Sequence, residues 1–99
     1  MAVLGKDTKQ PNEVEDYDVD FGDWMPTGDS INTVESSVRV LSGPVTPPLV
    51  VVRVLSTSTL SKARLSGGAD GAKYRVQLRA ETVGGLVKEA EFDITVKEV

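Results

Sequence analysis

The chain has 99 residues, of which 39% are hydrophobic and 26% charged, with a formal net charge of −4 and neither cysteine nor histidine. That length makes one domain with a modest core. The missing residue types exclude a disulfide framework, Cys-ligated zinc, thiol catalysis and any Ser-His-Asp or Cys-His arrangement within the chain, and an acidic balance without a Lys/Arg stripe gives no electrostatic basis for nucleic-acid binding.

The N-terminal part is the acidic one: residues 1–23 carry a net charge of −5, leaving about +1 for the remainder. Only five residues in a hundred are aromatic, so Val, Leu and Ile must build the core. No apolar run is long enough to span a membrane. Met1 to Pro11 lacks the apolar segment of a signal peptide. These points predict synthesis and use in a cytoplasm, or export as part of a larger assembly.

Residues 1–12 mix Gly, Lys, Asp, Thr, Gln and Pro without periodicity and read as an extended N-terminal arm. Such an arm either frays or becomes ordered against a partner subunit. The domain proper then covers residues 13–99. In Val14 to Phe21, Val14, Tyr17, Val19 and Phe21 are apolar, while Asp16, Asp18 and Asp20 point the other way. This pattern predicts the first strand. Gly22 to Asp29 is turn-rich and holds the single Trp24, which either plugs one end of the core or stands exposed as a contact.

Ile31 to Leu41 alternates again, with Val34, Val38 and Val40 on one face. Ser42 to Pro48 is a loop, because three prolines cannot sit inside a sheet. Leu49 to Leu55 is strongly β-prone. If Arg53 faces water, Val50, Val52 and Val54 face the core and Leu49, Val51 and Leu55 lie outside with Arg53. That outer face is then either covered or a contact surface.

Leu60 to Leu65 is a short strand with Ala63 and Leu65 inward. Tyr74, Val76, Leu78, Ala80 and Thr82 share one face of the next strand. Gly84-Gly85 turns the chain, two glycines able to supply positive φ at both central positions. Ala90, Phe92, Ile94 and Val96 share a face of the last strand. No stretch shows a helical period. The sum is an all-β fold, an immunoglobulin-like β-sandwich of about six to seven strands. Asp70 to Tyr74 has the form of a tyrosine corner ahead of the last two strands. The Cys-Trp-Cys signature of antibody domains is absent.

No constellation carries catalysis, and no residue is assigned as catalytic, cofactor-binding or metal-binding. A calcium loop starting at Asp16 would need Gly and Glu where the chain has Phe21 and Thr27. The Asp16/Asp18/Asp20 face therefore reads as a solvated strand face, with weak divalent-ion binding as the alternative. Ser42-Gly43-Pro44 and Ser66-Gly67-Gly68 lack the strand–helix setting and the Gly-Lys-Ser/Thr of phosphate loops. Glu89, Glu91 and Asp93 share one outward strand face and do not form a glycosidase pair.

Two stretches together carry a resemblance. One is Asp16-Tyr17-Asp18-Val19-Asp20-Phe21-Gly22-Asp23-Trp24 with Gly28-Asp29-Ser30-Ile31. The other runs from Leu65 to Tyr74 and continues in Thr82-Val83-Gly84-Gly85 and Ile94 to Glu98. With Lys6-Asp7 ahead of the acidic strand, the pattern resembles small bacteriophage fibre–tail adaptor proteins. Arg39 to Ser61, with Pro44, Pro47 and Pro48, departs from it. The resemblance implies an Ig-like virion protein, present in several copies, that links tail or neck to fibres. Its expected partners are other virion proteins, with no cofactor, nucleic acid or membrane, and its expected location is the virion after synthesis in the host cytoplasm. A capsid decoration protein on the same scaffold and a small carbohydrate-binding module are the alternatives. The expected contacts are residues 1–12, Pro47, Leu49, Val51, Leu55 and Trp24.

Overall fold

The computed structural model describes residues 3–98. Seven strands follow one another: β1 (Val3–Lys9), β2 (Glu15–Asp20), β3 (Ile31–Ser42), β4 (Leu49–Ser56), β5 (Leu60–Gly67), β6 (Lys73–Thr82) and β7 (Val87–Val96). They form a four-stranded sheet in the order β1-β7-β6-β3 and a three-stranded sheet in the order β2-β5-β4. All described pairings are antiparallel except that of β1 with β7. Among the described residues there is no helix.

The alternating faces pack as their period demands. Tyr74, Val76, Leu78 and Ala80 of β6 are buried, as are Ala90, Phe92, Ile94 and Val96 of β7 and Ala63 and Leu65 of β5. From β2, Val19 enters the core, and Phe21 follows it. Tyr17 stacks on Phe92 with ring centroids 5.6 Å apart, tying the two sheets together along the β2 side. Burying the Val, Leu, Ile and Phe side chains among these stabilises the fold by about 1.5–3 kcal/mol each. The loop into β6 closes as a tyrosine corner: the buried Tyr74 hydroxyl accepts the Ala69 backbone N–H at 2.8 Å.

Val3–Lys9 differs from the free arm expected for residues 1–12. It pairs with β7 from Val3 opposite Glu91 to Lys9 opposite Val96. Backbone hydrogen bonding holds it there, which needs no apolar alternation. Lys9 is the anchor. Its side chain is buried, and Nζ donates to the carbonyls of Gly67 at 2.7 Å, Gln10 at 2.8 Å and Pro11 at 3.4 Å. Burial pushes the Lys9 pKa below its ordinary value, with Glu13 and Glu15 opposing that. Met1 and Ala2, also part of the expected arm, lie outside the described residues.

The β6–β7 turn also differs in detail. Only Gly85 has positive φ, +90°, because the turn is longer than two residues: Gly85 N–H bonds Thr82 O at 3.0 Å and Thr82 N–H bonds Leu86 O at 2.8 Å. Asp29 clamps this turn from the β2–β3 loop, accepting the Gly84 N–H at 3.0 Å.

Candidate assembly surfaces

The surface of β4 is set by a bulge. Val51 opposes Leu65 and Arg53 opposes Arg64, so Val52 is the extra residue. A strand's side-chain period is two, and one inserted residue exchanges the faces beyond it. Leu49 therefore points into the core, 5% exposed, and Val51 packs half-buried against that core. This corrects the expectation that Leu49, Val51 and Leu55 share an outer face. Leu55, beyond the bulge, is 49% exposed, and its outward companions are Val50 and Val52.

Leu55 lies opposite Lys62, and Leu60 opposite Asp20. Leu55, Leu60, Ser56, Thr57, Asp18 and Lys62 line a groove of about 410 Å³ on the outer face of the three-stranded sheet. The acidic face of β2 borders it. Asp16 accepts two hydrogen bonds from Arg64, at 2.9 and 3.2 Å, and Asp18 lies 4.0 Å from Lys62. The Arg64 hydrogen bonds lower the Asp16 pKa. These carboxylates thus face cross-strand cations. Among the described residues, no group of three or more His, Cys, Asp or Glu side chains is placed to hold a metal ion.

The other expected contacts lie apart. Trp24 is half-buried against the core, with Lys88 Nζ 6.0 Å from its ring centroid. It lines a separate groove of about 150 Å³ with Asp20, Lys88 and Glu89. Three loops meet at that end of the molecule, joined by bonds from Phe21 N–H to Thr59 O, Ile31 N–H to Ser58 O and Val83 N–H to Ser30 O, at 2.8–2.9 Å. Pro47 is exposed at the opposite end, where the β3–β4 loop meets the β5–β6 loop. There Gly43 has φ +90°, and a Cβ on it would lie 2.7 Å from Ala72 Cα.

The hairpin tip is a surface that the sequence reading did not single out. Val83 is 69% exposed, and Leu86 and Val87 are also exposed. The available signal is local: apolar residues directly flank Gly84-Gly85, where polar ones are usual. The outer face of the four-stranded sheet is polar instead. Arg75 donates to Asp93 at 2.8 and 3.2 Å and lies 3.5 Å from Glu91, and the Arg75 hydrogen bond holds Asp93 below the usual carboxylate range.

A family model described as podophage GP4 fiber-tail adaptor protein gp77 matches residues 9–95 of the chain. No curated protein matches it.

Proposed function

The chain belongs to the podophage GP4 fibre–tail adaptor family, and from that premise we propose that it joins the tail of a phage particle to its fibres as a non-enzymatic structural protein in several copies. The family match over residues 9–95 carries this reading. Its partners are virion proteins of the tail, neck or fibre, and it is made in the host cytoplasm before assembly.

The scaffold we propose is an immunoglobulin-like sandwich. Two observations support it. The strand orders β2-β5-β4 and β7-β6-β3 follow the B-E-D and G-F-C orders of such domains, with the first strand moved beside the last. The Tyr74–Ala69 bond supplies the corner that precedes the penultimate strand.

The contact we assign is the outer face of the three-stranded sheet around Val50, Val52, Leu55 and Leu60. Four large apolar side chains at 40–56% exposure on one small sheet fit a protein that meets a partner there. Pro47 at one end and Trp24 at the other are secondary contacts.

Phage particles assembled with and without the chain test the role, with fibre content as the readout. Particles lacking the chain are expected to keep their tails and lose their fibres. Fibres retained at normal number overturn the adaptor role. Particles carrying Leu55→Asp, checked to fold normally in isolation, test the surface. Normal fibre content there overturns the assignment of this face.

A further inference from the structure

Each sheet ends in exposed edge strands, and edges are ordinarily blunted against pairing by bulges, inward charges or proline. The β4 edge is broken by the Val52 bulge and carries Arg53. The β2 edge carries Asp16, Asp18 and Asp20, which repel a second copy of themselves. The β3 edge is less defended, because its two charges, Glu35 and Arg39, are of opposite sign. It is 12 residues long and contains no proline or lysine. Its irregularities fall only near its ends, at Ile31/Thr33 and Val40/Ser42. Between them, Thr33 to Val40 pair without interruption against Glu81 to Tyr74 of β6.

The side chains of this stretch are self-complementary. Reflected about Ser37 in an antiparallel pairing, Glu35 of one copy meets Arg39 of the other, and Val34 meets Val40. Opposite residues of antiparallel strands lie on the same face with Cβ atoms about 4.5–5.5 Å apart, so each such pair can interact. Within one chain Arg39 has a poor setting. It lies directly opposite Arg75, whose carboxylates, Asp93 and Glu91, sit on Arg75's far side in β7. Among the described residues no carboxylate pairs with Arg39. The Glu35 side chain is 76% exposed, and among the described residues its ion pair is with Arg79, at 3.9 Å. On the inward face, Val34 and Val38 are half-buried and Val40 is 38% exposed. A second copy brings both the missing carboxylate and the missing apolar cover.

We infer that β3 is a self-pairing edge: two copies of the chain join antiparallel through β3, with Ser37 at the two-fold axis, making one continuous sheet of four strands from each copy. The interface is isologous, and every Glu35–Arg39 contact occurs twice in it. This pairing stands apart from the adaptor role, since it is a property of the purified chain and needs no particle.

The test is sedimentation of the full chain over a concentration series for the wild type, Glu35→Arg, and Glu35→Arg with Arg39→Glu. Thermal melts confirm that each variant folds. The wild type is expected to reach the mass of two chains. Glu35→Arg sets like charges against each other twice and should weaken association about tenfold or more, and the double exchange should restore it. A wild type that stays monomeric, a Glu35→Arg variant that associates as well as the wild type, or a double variant that stays weak overturns the inference. The register has its own test, because the chain has no cysteine. Ser37→Cys should form a disulfide-linked dimer under mild oxidation, with the two copies of residue 37 within bridging reach. Thr33→Cys should not, since its counterpart lies eight residues along the partner strand, roughly 26 Å away. Equal cross-linking of the two overturns the register.

Discussion

Tyr74 and Ala69 are joined by a hydrogen bond of 2.8 Å that spans most of the β5–β6 loop, the phenolic oxygen accepting the backbone N–H. Both residues are buried, so no water can replace the hydroxyl. Tyr74→Phe keeps the ring and leaves the Ala69 N–H without an acceptor. Stranding a buried donor costs about 1–3 kcal/mol, and urea unfolding of the variant should show a loss of that size with an unchanged slope.

Lys9 is expected to behave as a core residue in spite of its charge. Lys9→Ala removes the donor that serves three backbone carbonyls and leaves those of Gly67, Gln10 and Pro11 unmatched. Hydrogen bonds to a charged group contribute about 1.5–3 kcal/mol each, and the carbonyls partly recover by rehydration. A net loss on the order of 3 kcal/mol is expected in denaturant unfolding. Hydrogen exchange should show faster opening of β1 than of β6. Equal protection of both strands would contradict the anchoring role.

Ser61 points the other way. Its side chain is wholly buried, and its hydroxyl has no hydrogen-bond partner among the described residues. Such a group costs stability because nothing offsets its lost hydration. Ser61→Ala should therefore be neutral or raise the melting temperature, with a gain of about 1 kcal/mol. A fall in melting temperature would mean that the hydroxyl is bonded in solution.

Acid should weaken the fold through three of its carboxylates. Asp93, Asp16 and Asp29 all titrate below the ordinary carboxylate value, for Asp93 chiefly because Arg75 donates to it, for Asp16 because Arg64 does, and for Asp29 because Thr82 does. The unfolded chain then binds protons more readily than the folded one. Stability is full above about pH 4 and falls as pH drops through the lowered folded values. Melting temperatures measured from pH 7 down to pH 2 should trace that fall. Asp93→Asn should start lower at pH 7 and decline less steeply.

The core of this fold is legible in the sequence where one face is buried and the other wet. Tyr74 to Thr82 and Ala90 to Val96 alternate without interruption, and every inward assignment there matches the burial. Ala63 and Leu65 are as clear. Three features escape that reading for physical reasons. Val3–Lys9 is held by backbone pairing and by a lysine turned inward, and neither leaves an apolar pattern. The Val52 bulge sits in a run of Leu and Val with no glycine to mark it, so the parity of Leu49 and Val51 cannot be read from Arg53. The hairpin tip hides its apolar residues in a turn that composition alone reads as punctuation. The exposed apolar residues of β4 are therefore Val50, Val52 and Leu55, where strict alternation from Arg53 expects Leu49, Val51 and Leu55.

The parallel pairing of β1 with β7 also decides how the domain bears load. The first and last strands lie side by side and run the same way, with Lys97 N–H bonding Lys9 O at 2.9 Å just beyond the last pair. Tension applied through Val3 and Val96 would drag these neighbours along each other in opposite directions. The slanted, evenly spaced bonds of a parallel ladder then share the strain together instead of parting one by one. Pulled in this way the domain is built to resist shear, and it should rupture at a higher force than when pulled across the β6–β7 hairpin, whose bonds would peel in sequence.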